Sequence, residues 1–149
     1  MTRREDRVLR NESDMANTLR LEIVTPEATF YSQDVEMVTL PAVSGQMGVL
    51  PQHVRLMTQM VPGEMIVRKD GRDNFLAVGE GLVEVTNERV SIVTNMAVAV
   101  ESIDEAAAEE ARQRAAARLR EKLSSEEVAS VNASLARSLA QLHVKRRHR

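Results

Sequence analysis

Glycine and proline are confined to one part of this 149-residue chain. All six Gly lie between Gly45 and Gly81, all four Pro lie between Pro26 and Pro62, and neither residue occurs further along. Both residues mark chains that turn often, because Gly tolerates positive φ and Pro fixes φ while removing a backbone donor. The distribution therefore predicts a first part with many tight turns and a second part of long, uninterrupted elements.

The first part has an apolar pattern of period two, which is typical of strands with one buried face. Leu19, Leu21 and Ile23 alternate with polar residues, and further short stretches follow at residues 28–32, 35–40, 54–60, 65–69, 74–78, 82–86 and 89–94. Pro41 is expected to end the third stretch, and residues 43–51 are expected to form an ordered loop containing a short strand.

Two dipeptides predict hairpin turns between these stretches. They are Asp70-Gly71 and Asn87-Glu88. Short strands at regular spacing with turns between them predict an all-β antiparallel sandwich of about eight to ten strands.

The second part begins at Ser102, where the apolar period becomes helical. Ser102 with Glu105, and Ser124 with Glu127, have the spacing of a capping box. We expect two helices of about 18 residues each, joined near Leu123 as a C-terminal two-helix antiparallel hairpin. The expected apolar faces are Ile103, Ala107, Ala111, Ala115 and Leu119 on the first helix, and Val128, Val131, Leu135, Leu139 and Leu142 on the second.

The Ala-rich face of the first helix buries little apolar area, at roughly 25 cal/mol per Å². The hairpin is therefore expected to be loosely held and movable, with a static helical appendage as the alternative.

The formal charge of −2 conceals a strong asymmetry. Residues 1–14 carry four Arg and four acids, residues 143–149 carry four basic residues and no acid, and residues 15–142 hold 12 basic against 18 acidic residues. We interpret residues 1–14 as a disordered leader, or as an over-called start with Met15 as the initiator. The predicted domains are a sandwich at 15–100 and a helical hairpin with a basic tail at 101–149.

Several classes of protein are excluded. The absence of Cys excludes disulfides and thiolate sites, and no metal site is expected from three scattered His. The apolar runs are far shorter than the roughly 20 residues of a membrane span, so no direct membrane insertion is expected. An acidic body with three aromatic residues argues against nucleic-acid binding.

Catalytic motifs are sparse. His53 is the only His in the folded body, and a general base needs an oriented partner that the sequence does not identify. No phosphate-binding Gly pattern occurs. The chain is therefore expected to be a non-enzymatic part of something larger, although a small hydrolase using His53 is an alternative.

Taken together, the segments resemble the epsilon subunit of bacterial F-type ATP synthases over about residues 17–144. The resemblance rests on LRLEIVTPEATFYSQDVEMVTLPAVSGQMGVLPQHVRLMT, on VPGEMIVRKDGRDNFLAVGEGLVEVTNERVSIVT, and on SIDEAAAEEARQRAAARL followed by SLARSLAQLHV. The series Gly45, Gly48, Pro51 and His53 before a helical hairpin is its most specific part.

The resemblance implies a non-catalytic central-stalk protein that couples ion-driven rotation to ATP synthesis. Its implied partners are the gamma subunit, the c-ring subunits and the alpha/beta catalytic head, at the cytoplasmic face of the bacterial inner membrane. The loop facing the c ring would contain Gly45, Gln46, Gly48, Pro51 and His53. The alternative is a loop shaped only to close the sandwich.

In the family, the helices can extend along gamma and inhibit ATP hydrolysis by contacting the beta subunit. The matching basic residues are Arg112, Arg118, Arg120, Lys122, Lys145, Arg146 and Arg147. Such a charge run is otherwise typical of a solvated face.

Some family members also bind ATP in the hairpin. Ile103, Asp104, Arg114 and Arg137 match that pattern, whereas Ala107 and Gln141 replace residues that would contact the nucleotide. We therefore expect no cofactor and no tight ATP binding. A free-standing nucleotide-sensing module is the alternative function.

Overall fold

A computed structural model describes residues 17–149, so the expected leader or over-called start at residues 1–14 lies outside the described part. The described residues form ten strands: β1 (Leu19–Val24), β2 (Thr29–Val35), β3 (Met37–Ala42), β4 (Gly45–Val49), β5 (Leu56–Met60), β6 (Gly63–Lys69), β7 (Arg72–Val78), β8 (Gly81–Val85), β9 (Arg89–Thr94) and β10 (Ala97–Ala99).

The strands follow the order β10-β7-β6-β3-β5-β8-β9-β1-β2, with β4 paired to β3. The pairings are antiparallel except for the parallel pair β1–β9. This nearly closed sheet confirms the predicted sandwich.

The alternation of the first strand is confirmed by its burial. Leu19, Leu21 and Ile23 point into the core, whereas Arg20 and Glu22 are only partly covered. The core is filled by aliphatic side chains from both halves of the sheet, including Val38, Leu40, Met65, Val83 and Ile92. Fully burying each such side chain contributes roughly 1.5–3 kcal/mol, which is why the sandwich is the stable part of the chain.

The hairpin predicted at Asp70-Gly71 joins β6 to β7. Both residues have positive φ, +53° and +73°, and Lys69 pairs with Arg72 on either side of them. This is the backbone twist that favours Asp-Gly in two-residue hairpin turns.

The prediction that Pro41 ends a strand is wrong. β3 continues to Ala42, with Pro41 paired to Gln46. Pro41 donates no backbone hydrogen bond, but its carbonyl accepts one from the backbone N–H of Val61 at 2.9 Å, so the residue keeps one of its two main-chain contacts. The short strand expected within residues 43–51 is confirmed as β4.

Two helices follow the sheet: α1 (Glu105–Arg118) and α2 (Ser125–Arg147). The Ser124 capping box is confirmed, with both reciprocal hydrogen bonds present. The Ser102 box is wrong, because Ser102 ends a 3₁₀ turn and the Asp104 side chain instead accepts a bond from Ala107 N at 3.1 Å. The helices have 14 and 23 residues, rather than about 18 each.

The predicted apolar face of α1 is wrong in one residue. Ala115 is buried as expected, but Ala107 is exposed and Ala108 takes its place in the interface. A strict spacing of four residues drifts around a helix of 3.6 residues per turn, which explains the shift.

The predicted face of α2 is wrong at two residues. Val131 and Leu142 are buried, but Val128 and Leu139 are 37% and 47% exposed. α2 packs against α1 on one side and against β6 and β7 on another, so its buried residues occupy two faces. Val128 and Leu139 are close to three helical turns apart, so they lie on the same face of α2, which contacts neither α1 nor the sheet.

Within residues 17–149, neither helix combines the length and apolar character needed to cross a lipid bilayer.

Candidate interaction surfaces

The turn between β3 and β4 projects at one end of the sandwich. Gly45 has φ +124°, a conformation that L side chains rarely adopt, and an ideal Cβ there would meet no atom within 4 Å. The following residue, Gln46, is exposed. Gly48 has a different role, because a Cβ there would come within 2.9 Å of Met37 Cε. Gly45 thus permits the narrow turn that presents Gln46 to solvent, and Gly48 makes room for Met37.

Pro51 and His53 lie at the opposite end of β4. The backbone N–H of Gln52 donates to the Asn87 carbonyl at 2.8 Å, which ties this connection to the β8–β9 turn. His53 is half-buried, and its Nδ1 lies 2.8 Å from the Val54 carbonyl oxygen. That local backbone contact does not supply the carboxylate that would orient a general base. The five expected loop residues are therefore divided between two ends of the sheet.

An exposed apolar row crosses the outer face of the sheet, and it is not among the surfaces that the sequence predicted. Leu82 pairs with Val93, which in turn pairs with Val24, and Met57 extends the same face on β5. We call these four residues the apolar stripe. Met57, Leu82 and Val93 are 73%, 57% and 60% exposed, which is unusual for such side chains. The sequence does contain an indication of this row, because Leu82 and Val93 stand at positions of their strands where the alternation predicts polar residues.

Most of the expected basic contact residues already have partners within the chain. Arg118 pairs with Glu127 at 3.4 Å and Arg146 with Glu105 at 3.0 Å. Arg112 binds Glu109, Lys145 donates to the Val100 carbonyl, and Arg147 lies 3.7 Å from Glu64. Arg120 and Lys122 are exposed in the link between the helices. In this folded hairpin, therefore, only part of the basic set is presented to a partner.

The carboxylate of Glu109 accepts hydrogen bonds from the side chains of Arg112, Gln113 and Arg146. Side-chain hydrogen bonding from Arg112 lowers the pKa of Glu109 to about 2, with smaller contributions from Gln113 and from Arg146 at 3.3 Å. The same contact raises the pKa of Arg112. Hydrogen bonds from Ser124 likewise lower the pKa of Glu127. Glu109 and Glu127 also form the α1–α2 ion pairs with Arg146 and Arg118, which are exposed to solvent and therefore add little to the packing of the helices.

The four candidate ATP contacts have separate structural roles. Ile103 is buried, Asp104 caps α1, and Arg137 donates to the Ser134 hydroxyl at 3.0 Å. Arg114 is exposed on α1, about 15 Å along the helix axis from Asp104 at 1.5 Å per residue. Arg114 and Arg137 lie at a similar level of the hairpin, between the Arg118–Glu127 and Arg146–Glu109 ion pairs.

The described part of the chain, residues 17–149, contains no group of three or more His, Asp or Glu side chains arranged to hold a metal ion.

Comparison with known proteins accounts for both parts of this architecture. Residues 18–100 match the family described as the beta-sandwich domain of the ATP synthase delta/epsilon chain, and residues 101–146 match its long alpha-helix domain. The chain belongs to the ATP synthase delta/epsilon family.

Individual family members match over most of their length. The ATP synthase epsilon chain of Halorhodospira halophila is 38% identical over 128 residues, covering 85% of this chain and 91% of the relative. The epsilon chain of Bacillus subtilis is 41% identical over 102 residues, covering 68% and 77%. The delta/epsilon family membership thus rests on the sandwich and the helices together.

A solved structure shares the fold. A chain of the Euglena gracilis mitochondrial ATP synthase, in a structure of OSCP, F1 and the c ring, aligns with a TM-score of 0.70 at 22% identity. The alignment covers 85% of this chain and 80% of that one.

Proposed function

We propose that this chain is a non-catalytic epsilon subunit of a bacterial F-type ATP synthase, situated in the central stalk at the cytoplasmic face of the inner membrane. There it would couple rotation of the c ring and gamma to ATP synthesis. The supporting observation is the match of both domains, in order, to epsilon chains over 85% of the chain.

The apolar stripe is the surface proposed to bind gamma. An exposed row of Val, Leu and Met side chains on an otherwise polar outer face loses free energy when covered, at roughly 25 cal/mol per Å² of apolar area. The β-sandwich is rigid there, because β8 and β9 are paired on both edges. A rigid sheet with an apolar face suits a part that must transmit torque without deforming.

The turn between β3 and β4, which presents Gln46 to solvent, is proposed to face the polar loops of the c ring. Its narrow backbone, fixed at Gly45, presents a polar side chain and main-chain groups, which suit a wet interface between polar loops. His53, at the other end of β4, would then lie away from the ring.

The gamma contact is tested by a charge introduced into the stripe. Leu82→Glu buries a carboxylate in the proposed interface and should reduce recovery of gamma with the tagged subunit at least tenfold. Glu88→Gln, in the exposed β8–β9 turn outside the apolar stripe, is the control and should leave recovery unchanged. Normal recovery with Leu82→Glu, in a variant that keeps its sheet spectrum, would contradict the proposal.

The helical hairpin is proposed to restrain ATP hydrolysis when it leaves the sandwich. Lifting α2 would free Lys145 and Arg147 from their partners, the Val100 carbonyl and the Glu64 carboxylate. This exposes a basic site at the end of α2 opposite Arg120 and Lys122, and each site would attract an acidic segment of the catalytic head within a screening length of roughly 8 Å. Deleting residues 101–149 should raise hydrolysis by the assembled complex, whereas unchanged hydrolysis with normal assembly would contradict this role.

The alternative function, a free-standing nucleotide-sensing module, is favoured by one observation. Arg114 and Arg137 lie at a similar level of the hairpin, between the Arg118–Glu127 and Arg146–Glu109 ion pairs. Against it, Ala107 supplies no cation and Asp104 is engaged as a helix cap. Micromolar ATP binding in calorimetry would favour the module, and its absence would favour the stalk subunit.

A further inference from the structure

The C-terminal end of α2 rests on the outer face of β6 and β7. Glu64 pairs with Ala77 across these strands, and both residues are buried beneath the helix. Val144 covers Ala77 in a small apolar cluster with Val100 and Ile103. This patch is separate from the main core, so the hairpin has its own point of attachment.

The chain ends in a second contact on the same patch. Nε2 of His148 lies 3.1 Å from Glu64 Oε2, and the His148 ring stacks on Phe75 with centroids 3.7 Å apart and planes 19° apart. The guanidinium of Arg147 lies 3.7 Å from the same Glu64 oxygen. His148 is thus held by a carboxylate below one edge and an aromatic ring across its face.

Glu64 is an unusual residue to find in this position. Its side chain is 7% exposed, and Oε1 is buried without a hydrogen-bond partner among the described residues. A buried carboxylate is costly unless it is paired, so Glu64 is tolerated under the helix only while His148 and Arg147 remain close. Loss of these partners favours reopening the site to water.

We propose that His148 is a clasp that holds the helical hairpin against the sandwich through Glu64 and Phe75. α1 packs chiefly on α2, so the attachment of α2 determines the position of both helices. His148 therefore adds to the grip of Val144 and Lys145 and makes the hairpin harder to lift from the sheet. The clasp is an intramolecular property of this chain and goes beyond the proposed role in the enzyme complex.

Thiol labelling of the full-length chain tests the clasp. The sequence contains no Cys, so Ala77→Cys supplies a single thiol that is covered when the hairpin is docked. His148→Ala in this background should speed maleimide labelling about tenfold, the factor expected for losing a hydrogen bond to a charged group. His143→Ala is the matched control, because His143 is exposed on α2 and contacts neither Glu64 nor Phe75 in this structure, so the rate should not change.

A double-mutant cycle tests the partner. Glu64→Gln keeps the shape of the side chain and removes its charge, so His148→Ala should speed labelling less than about threefold in that background. Circular dichroism should show the same helix content in all variants. Equal labelling rates for His148→Ala and His143→Ala would overturn the clasp, as would a tenfold effect that persists with Gln at position 64.

Discussion

Gln46 and His53 lie at opposite ends of β4, with Gln46 at the β3–β4 turn and His53 beyond the end of the strand, next to the β8–β9 turn. At about 3.3 Å per residue, Gln46 and Val49 are already separated by about 10 Å along the strand. A partner that contacts one end of the strand therefore need not contact the other. The two residues, close in sequence, belong to different surfaces.

Cross-linking at these two positions distinguishes the surfaces. In the assembled complex, Cys introduced by Gln46→Cys should form an adduct with a Cys placed in the polar loop of a c subunit, because this turn is proposed to face the ring. His53→Cys is the matched control and should give no such adduct. An adduct from His53→Cys alone would reverse the proposed orientation of the sandwich.

Loss of the second helix cap should destabilise the hairpin. Ser124 accepts a hydrogen bond from Glu127 N at 3.2 Å, and Glu127 reaches back to Ser124 N at 3.3 Å. Ser124→Ala should therefore cost about 1 kcal/mol, measured as the unfolding free energy of the helices in urea. Ser125→Ala, one residue further along, changes the same side chain without a cap and should cost less than about 0.5 kcal/mol.

The two faces of α2 predict unequal effects of truncation. Val144 is fully buried against the sandwich, whereas Leu139 is 47% exposed. Val144→Ala should lower the unfolding free energy by about 2 kcal/mol, because it removes two buried methyl groups and leaves a cavity. Leu139→Ala should lower it by less than about 0.5 kcal/mol. A larger loss for Leu139→Ala than for Val144→Ala would mean that α2 docks through the face that the sequence periodicity predicted.

Acid should weaken the hairpin within a defined window. The pKa of Glu109 is about 2 in the folded chain, against 4.5 for the free side chain. Between these two pH values the unfolded hairpin therefore binds more protons than the folded one. The contribution of Glu109 is therefore complete above pH 4.5 and is lost as the pH falls toward 2. Helix content measured by circular dichroism should follow this course.

A substitution identifies the responsible acid. Glu109→Gln should weaken the hairpin at neutral pH and reduce its sensitivity to acid, because the ionised partner of Arg112 is gone. Glu110→Gln alters the next residue on the helix and is the control. An unchanged acid profile in Glu109→Gln would show that other carboxylates, Glu127 among them, control the transition.

The sequence predicted the sandwich because local signals agree with the fold. The alternation at Leu19, Leu21 and Ile23 and the Asp70-Gly71 turn both act within a few residues, and the structure keeps both. The boundary of α1 was predicted incorrectly because Ser102 and Asp104 both suit a cap. Burial of Val100 and Ile103 against Ala77 and Val144 decides between them.

The interaction surfaces depend on contacts that the sequence does not encode locally. Glu64 and His148 are 84 residues apart, and the Leu82–Val93–Val24 row requires the pairing of β8, β9 and β1. The Ser124 capping box, by contrast, joins two residues only three positions apart and was predicted correctly. Elements set by neighbours along the chain are thus predictable, whereas faces set by strand order are not.

Co-purification tests the proposed stalk function most directly. A full-length chain with an affinity tag at its N-terminus, expressed at its natural level, should bring down gamma and the alpha and beta subunits in the ratio of an assembled ATP synthase. Recovery should survive deletion of residues 101–149 and fail with Leu82→Glu. Recovery of the tagged chain alone, as a monomer, would contradict the assignment to the central stalk.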